Sequence, residues 1–155
     1  MQSVWLQIEN YRASNAIMAK LGSNNKPVTL NLIASIALPV LTYSLEALYL
    51  NKTDLTSLNH SWMRAFEKLF NTFDKNVLKQ CQIYNGYLSI THYYCLNSVS
   101  FLNKLSSSPN LLNRHLFDGC GNENMYRLAQ MFNCKPEIFA RKYWEIIHKH
   151  FREAE

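Results

Sequence analysis

Glycine and proline are scarce, four of each in 155 residues. The turn residues that many short strands need are therefore missing, and an all-β architecture is not expected. The three aspartates, Asp54, Asp74 and Asp118, stand singly, which leaves two-metal phosphoryl transfer without converging carboxylates. No Gly-rich phosphate loop, Gly-x-Ser-x-Gly elbow or His-Glu-x-x-His helix occurs. The four cysteines, Cys81, Cys95, Cys120 and Cys134, are separated by 13, 24 and 13 residues. None forms the close Cys-x-x-Cys pair of a zinc site, so neither a metal nor another cofactor is expected. A secretory leader is not expected either, because Gln2, Ser3, Glu9 and Arg12 interrupt any apolar run there. The expectation is an intracellular chain, nuclear or cytoplasmic, with reduced thiols.

What is present is apolar material. Hydrophobic residues make up 48% and charged residues 17%, enough to bury a core and too little charge for a disordered chain. The length suits one ordinary domain or two small helical subdomains. The net charge of +5 is thinly spread: three basic against two acidic groups over residues 1–50, five against three over 51–80, three against two over 81–134, and five against four over 135–155. A duplex-binding surface needs its basic groups gathered on one face, and composition alone does not gather them.

The patterning predicts an all-α fold, a small bundle of about seven or eight helices. Val4, Ile8, Tyr11, Met18 and Leu21 fall near helical spacing, with Gly22 at the position of a left-handed C-cap. Pro27 opens a second helix whose apolar face is Leu30, Ile33, Ile36, Ala37, Val40 and Leu41; Pro39 is expected to kink or break it. Residues 28–45 carry no charge across 18 positions. A membrane span is weighed, but Asn31, Ser35, Pro39, Thr42 and Ser44 interrupt the stretch, and a buried core hairpin is the expectation.

The clearest helix follows, capped by Asn51 or Thr53, with Leu55, Leu58, Trp62, Met63, Phe66, Leu69 and Phe70 along one face. A shorter helix over about 74–84 is expected to bury Val77, Leu78 and Cys81. Ser89 caps another, carrying Ile90, Tyr93, Tyr94, Phe101, Leu102 and Leu105. Residues 106–109, three serines closed by Pro109, form the candidate hinge and set a boundary between residues 1–105 and a tail of 106–155. In the tail, short helices over 109–117 and 122–132 are separated by a loop at Asp118-Gly119-Cys120-Gly121. A last helix from Pro136 carries Ile138, Phe139, Trp144, Ile147 and Phe151.

Few residues suggest chemistry. Cys134 with His148 and His150 is the one cluster worth naming, and a half-buried thiol with two surface histidines on a solvated helix face is the expected reading, ahead of a metal site. Cys120, between two glycines, is a candidate exposed thiol with no neighbouring histidine to activate it. The mixtures Tyr84, Tyr87, His92, Tyr93, Tyr94 and Arg141, Lys142, Tyr143, Trp144 have the residue types that stack on bases, although aromatics at helical spacing usually belong to a core.

The order of local patterns is more telling. Arg12-Ala13-Ser14-Asn15-Ala16-Ile17, then Lys20-Leu21-Gly22, then Leu38-Pro39-Val40-Leu41-Thr42-Tyr43-Ser44-Leu45-Glu46-Ala47-Leu48 resembles the segment after the palm in reverse transcriptases of LINE-type (non-LTR) retrotransposons. Leu50-Asn51-Lys52-Thr53-Asp54-Leu55, Met63-Arg64-Ala65-Phe66 and Lys68-Leu69-Phe70 continue the likeness through the family's thumb and post-thumb helices. It covers about residues 10–105, with Ser44 where the family commonly has glycine.

In that family the helical thumb lies along the primer–template duplex, and the catalytic aspartates belong to the palm upstream. The resemblance thus implies a non-catalytic fragment, not an enzyme by itself, whose partners are a DNA–RNA hybrid or other duplex and a palm domain. Its implied nucleic-acid-contacting residues are Arg12, Asn15, Lys20, Lys52 and Arg64. Tyr43 and Glu46 match a motif read here as structural, Tyr43 in the core and Glu46 paired with a nearby cation. The alternative is a helical protein-interaction or self-associating module with no nucleic-acid role. Exposed apolar patches favour that alternative, and a continuous basic stripe favours the first.

Overall fold

The computed structural model describes residues 2–21, 25–43, 45–48 and 50–153, without the side chains of 2–7, 9 and 10. The described residues contain helices and no strand, as the scarcity of turn residues requires. In order these are α1 (Gln2–Leu21), α2 (Lys26–Thr42), a 3-10 turn (Leu45–Ala47), α3 (Lys52–Phe70), α4 (Lys75–Tyr84), α5 (Ile90–Ser106), α6 (Leu111–Leu116), a π turn (Phe117–Gly121), α7 (Asn122–Met131) and α8 (Pro136–Glu153). The chain divides into two compact units, residues 1–43 with 50–91, and residues 44–49 with 92–155. The expected hinge at 106–109, whose Ser106 still belongs to α5, lies inside the second unit.

In the first unit α1, α2 and α3 pack on one another and α4 packs on α3. The reason is the stripe on α3: Leu55, Leu58, Trp62, Phe66 and Leu69 are all buried, while Met63 and Phe70 sit half-buried at its margin. Asn51 caps the helix, its side-chain oxygen accepting from the Asp54 amide at 2.8 Å. Asn71 closes it in the left-handed region at φ 52°. Trp62 meets Phe66 edge-on at 5.1 Å and Tyr87 at 5.9 Å, arrangements that aromatic quadrupoles favour. The connection after α4 is pinned to this core. Leu88 offers its carbonyl to Trp62 Nε1 at 3.1 Å, and Tyr87 donates its hydroxyl to Asn31 at 2.6 Å. The first amide of α5, at Ile90, donates to Asn59 Oδ1 at 3.0 Å.

Several expectations change here. Helix α2 runs through Pro39 to Thr42 without a break. Pro39 has no amide to offer the Ser35 carbonyl, but both residues are exposed, so water can serve that carbonyl, and the helix ends three residues later. The buried face of α2 is Leu30, Ile33, Ala34, Ala37 and Leu41; Ile36 is exposed and Val40 half-buried. The segment Lys26–Ala47, at mean hydropathy 1.7, is long and apolar enough to cross a bilayer on length and composition alone. Its helix spends its strongest face on the core of the first unit. Tyr43 is not core but 70% exposed. On α4, Val77 is exposed, Cys81 half-buried, and Gln82 is buried beside Leu78. On α1, Ile8 and Leu21 are exposed. The expectations for Val4, Gly22 and Ser44 lie outside the described residues.

The second unit is centred on α5, whose Tyr94, Cys95, Val99 and Leu102 are buried. Asn103 Nδ2 donates to the Ala140 carbonyl of α8 at 2.9 Å. From α8 only Phe139, Ile147 and Phe151 are buried; Ile138 and Trp144 face out, and Trp144 stacks on His148 one turn later at 3.9 Å. The loop expected at residues 118–121 is instead a π turn that joins α6 to α7. Gly121 makes it possible, since a Cβ there would lie 2.5 Å from the Phe117 ring.

Candidate functional site

The five residues implied by the resemblance all lie in the first unit. Arg12, Asn15 and Lys20 are exposed on α1, and Lys52 and Arg64 are exposed on α3. The packing of α1 on α3 brings two of them together. Asn15 and Arg64 line one shallow seam with Tyr11, Ser14, Met18 and Lys68. Lys68, one turn beyond Arg64, donates from Nζ to Asn15 Oδ1 at 2.7 Å. Arg12 is one turn before Asn15 on the same helix. Lys52 is not part of this group, because its position on α3 is about 18 Å along the axis from Arg64 at 1.5 Å per residue. Lys20 sits in the last turn of α1, where a cation suits the helix dipole.

Lys68 is the member that sequence reasoning did not single out. Its signal was available in retrospect: it follows Arg64 by four residues, the spacing of helical neighbours. The Arg64 guanidinium meets Glu67 at 3.6 Å with its side chain 60% exposed, and such a surface pair holds it only weakly. The first unit carries eight Lys and Arg against four Asp and Glu, a net +4 of the chain's +5. The second carries eight against seven, a net +1.

The remaining candidates separate. Cys134 lines a surface hollow with Tyr126 and Lys135, while His150 Nδ1 lies 3.2 Å from His92 Nε2. Among the described residues no group of three His, Cys, Asp or Glu could hold a metal ion. Burial, and then the Arg152 charge one turn on, hold the His148 imidazole below its ordinary pKa of 6.5. Of the aromatics considered for stacking, Tyr87 and Tyr94 are spent on packing, the latter donating its hydroxyl to the Leu48 carbonyl at 3.1 Å. Tyr84 and Trp144 are exposed.

The chain matches no protein-family model, and no curated protein or solved structure is significantly similar to it. Fold and geometry define the class: an all-α protein of two compact helical units with its charge excess on the first.

Proposed function

We propose that this chain is a non-catalytic helical module of the thumb type found in LINE-like reverse transcriptases, contacting the backbone of a nucleic-acid duplex. The observation that carries the reading is the α1–α3 seam, where Asn15, Arg64 and Lys68 share one surface in the unit that holds most of the net charge. Phosphate contacts need cations and amides on rigid elements along one groove, and they position a duplex without reading its sequence. Asn15 fixes the Lys68 ammonium, Arg64 extends beside it, and Arg12 lies a turn away. Lys20 and Lys52 stand at the helix ends. The module supplies one wall of a cleft, and the chemistry belongs to a palm partner.

One wall gives few contacts, so the affinity for a DNA–RNA hybrid should fall in the non-specific range, roughly 10⁻⁴–10⁻⁶ M, with a salt slope near −0.9 per phosphate neutralised on B-form DNA. The test titrates a fluorescent hybrid at several salt concentrations with the wild-type chain and with Arg12→Ala, Arg64→Ala and Lys68→Ala combined. The slope should flatten in the triple variant, because each lost contact removes its share of released counterions. Absence of binding at low salt, or identical slopes, overturns the reading. A second reading, self-association, is favoured by one observation: Val28, Leu32 and Ile36 follow at four-residue steps on α2 and are all exposed. Sedimentation of the same protein would separate it from the first.

A further inference from the structure

The second unit holds a cavity of about 280 Å³ that nucleic-acid contact would leave unused. One wall is the face of α5 formed by Tyr94, Ser98, Phe101, Leu102 and Leu105, positions that recur at three- and four-residue steps. The 3-10 turn with Leu48 closes one side, and the run through α6, the π turn and α7 closes the other with Leu116 and Leu128. The lining is chiefly apolar, as small-molecule sites are. Tyr94 is wall and not bait, since its hydroxyl is committed to Leu48.

Two observations point to an occupant. Ser98 is 4% exposed, lines this cavity, and its hydroxyl has no hydrogen-bond partner among the described residues. A buried hydroxyl in that state carries an unrecovered desolvation cost, which an oxygen placed in the cavity would remove. Beside it the chain forms a π turn, a rare element that frequently accompanies functional sites. Gly121 lines the cavity and permits that turn.

The charged lining settles the kind of headgroup. Glu46 and Arg127 both line the cavity. An anionic ligand gains from Arg127 and loses to Glu46, a cationic one the reverse, and a neutral oxygen avoids both penalties. A cavity near 150 Å³ admits benzene, so this one has room for roughly ten non-hydrogen atoms. We propose that the cavity binds a small, uncharged, largely apolar molecule with one oxygen hydrogen-bonded to Ser98 Oγ, the class of medium-chain alcohols.

The probe is 1-octanol, with octanoate and octylamine as charged counterparts, titrated into the full-length isotopically labelled chain and followed by amide chemical shifts. Saturable shifts confined to residues around Ser98, Phe101 and Leu128 are expected, with octanol binding tighter than either charged counterpart. Ser98→Ala should weaken octanol by about three- to tenfold, the net worth of one hydrogen bond. Cys120→Trp, at an exposed position of the lining, should fill the mouth and abolish binding while the fold persists. Octanol should also slow alkylation of Cys120 without slowing that of Cys81. No saturable binding, unchanged affinity in both variants, or a charged counterpart binding best would each overturn the proposal.

Discussion

The indole nitrogen of Trp62 donates to the main-chain carbonyl of Leu88 at 3.1 Å, with both residues buried. This single bond ties the centre of α3 to the connection after α4, twenty-six residues further along the chain. It also satisfies the one polar atom of the largest side chain in the core.

Two substitutions separate packing from that bond. Trp62→Ala should cost about 3–5 kcal/mol, the range for emptying a fully buried aromatic site. Trp62→Phe keeps much of the ring but removes the indole donor to the Leu88 carbonyl, and should cost about 0.5–1.5 kcal/mol, the net worth of one hydrogen bond. Urea denaturation of both variants checks the order. A loss under about 1 kcal/mol for the alanine variant would place α3 at the surface.

The two glycines of the π turn should behave oppositely. A methyl at Gly121 meets the Phe117 ring at 2.5 Å, so Gly121→Ala should destabilise by about 1–3 kcal/mol through overpacking. A methyl at Gly119 meets nothing within 4 Å, and Gly119→Ala should be neutral or stabilising by up to about 1 kcal/mol through helix propensity. Thermal denaturation of the pair distinguishes a built π turn from a frayed connection, for which both changes would be near zero.

Thiol reactivity should rank by burial. Burial pushes the Cys95 thiol up to about 12, against a smaller opposing pull from the Arg127 charge. At pH 8 its thiolate fraction is on the order of one in ten thousand, so Cys95 should resist alkylation in the native state. Cys120 is exposed and should react first. Mass spectrometry of iodoacetamide-treated protein gives the order directly, and early modification of Cys95 would contradict its burial.

The pH dependence follows from His148. Its pKa is lowered in the folded chain from the ordinary 6.5, so as pH falls through 6.5 the unfolded state takes the proton first. Stability should therefore decline below that point, until the folded imidazole is protonated as well. His148→Gln should shrink the difference in urea midpoint between pH 7.5 and pH 5.5. An unchanged difference would assign the acid sensitivity to other groups.

The sequence by itself determined that the chain is helical and where its strongest helix lies. Few glycines and prolines, the Asn51 cap and the three- and four-residue repeat through Leu55, Trp62 and Phe66 are local properties, and backbone hydrogen bonding inside a helix depends on nothing further away. Lys68 was equally legible by its step from Arg64, but its bond to Asn15 was not, because fifty-three residues separate them.

Tertiary structure decided which apolar face is covered. Helix α2 is apolar on more than one side, so pattern alone cannot choose between Ile33 and Ile36, and at the start of α8 the adjacent Ile138 and Phe139 point to different sides of the helix, of which only Phe139 is covered. Only the neighbouring helix makes that choice, by removing one side from water. Tertiary structure also built the cavity from Glu46, Ser98, Cys120 and Arg127, which share no motif. The hydrophobic effect rewards buried area without regard to order along the chain, and the place where these residues converge exists only once the helices have packed.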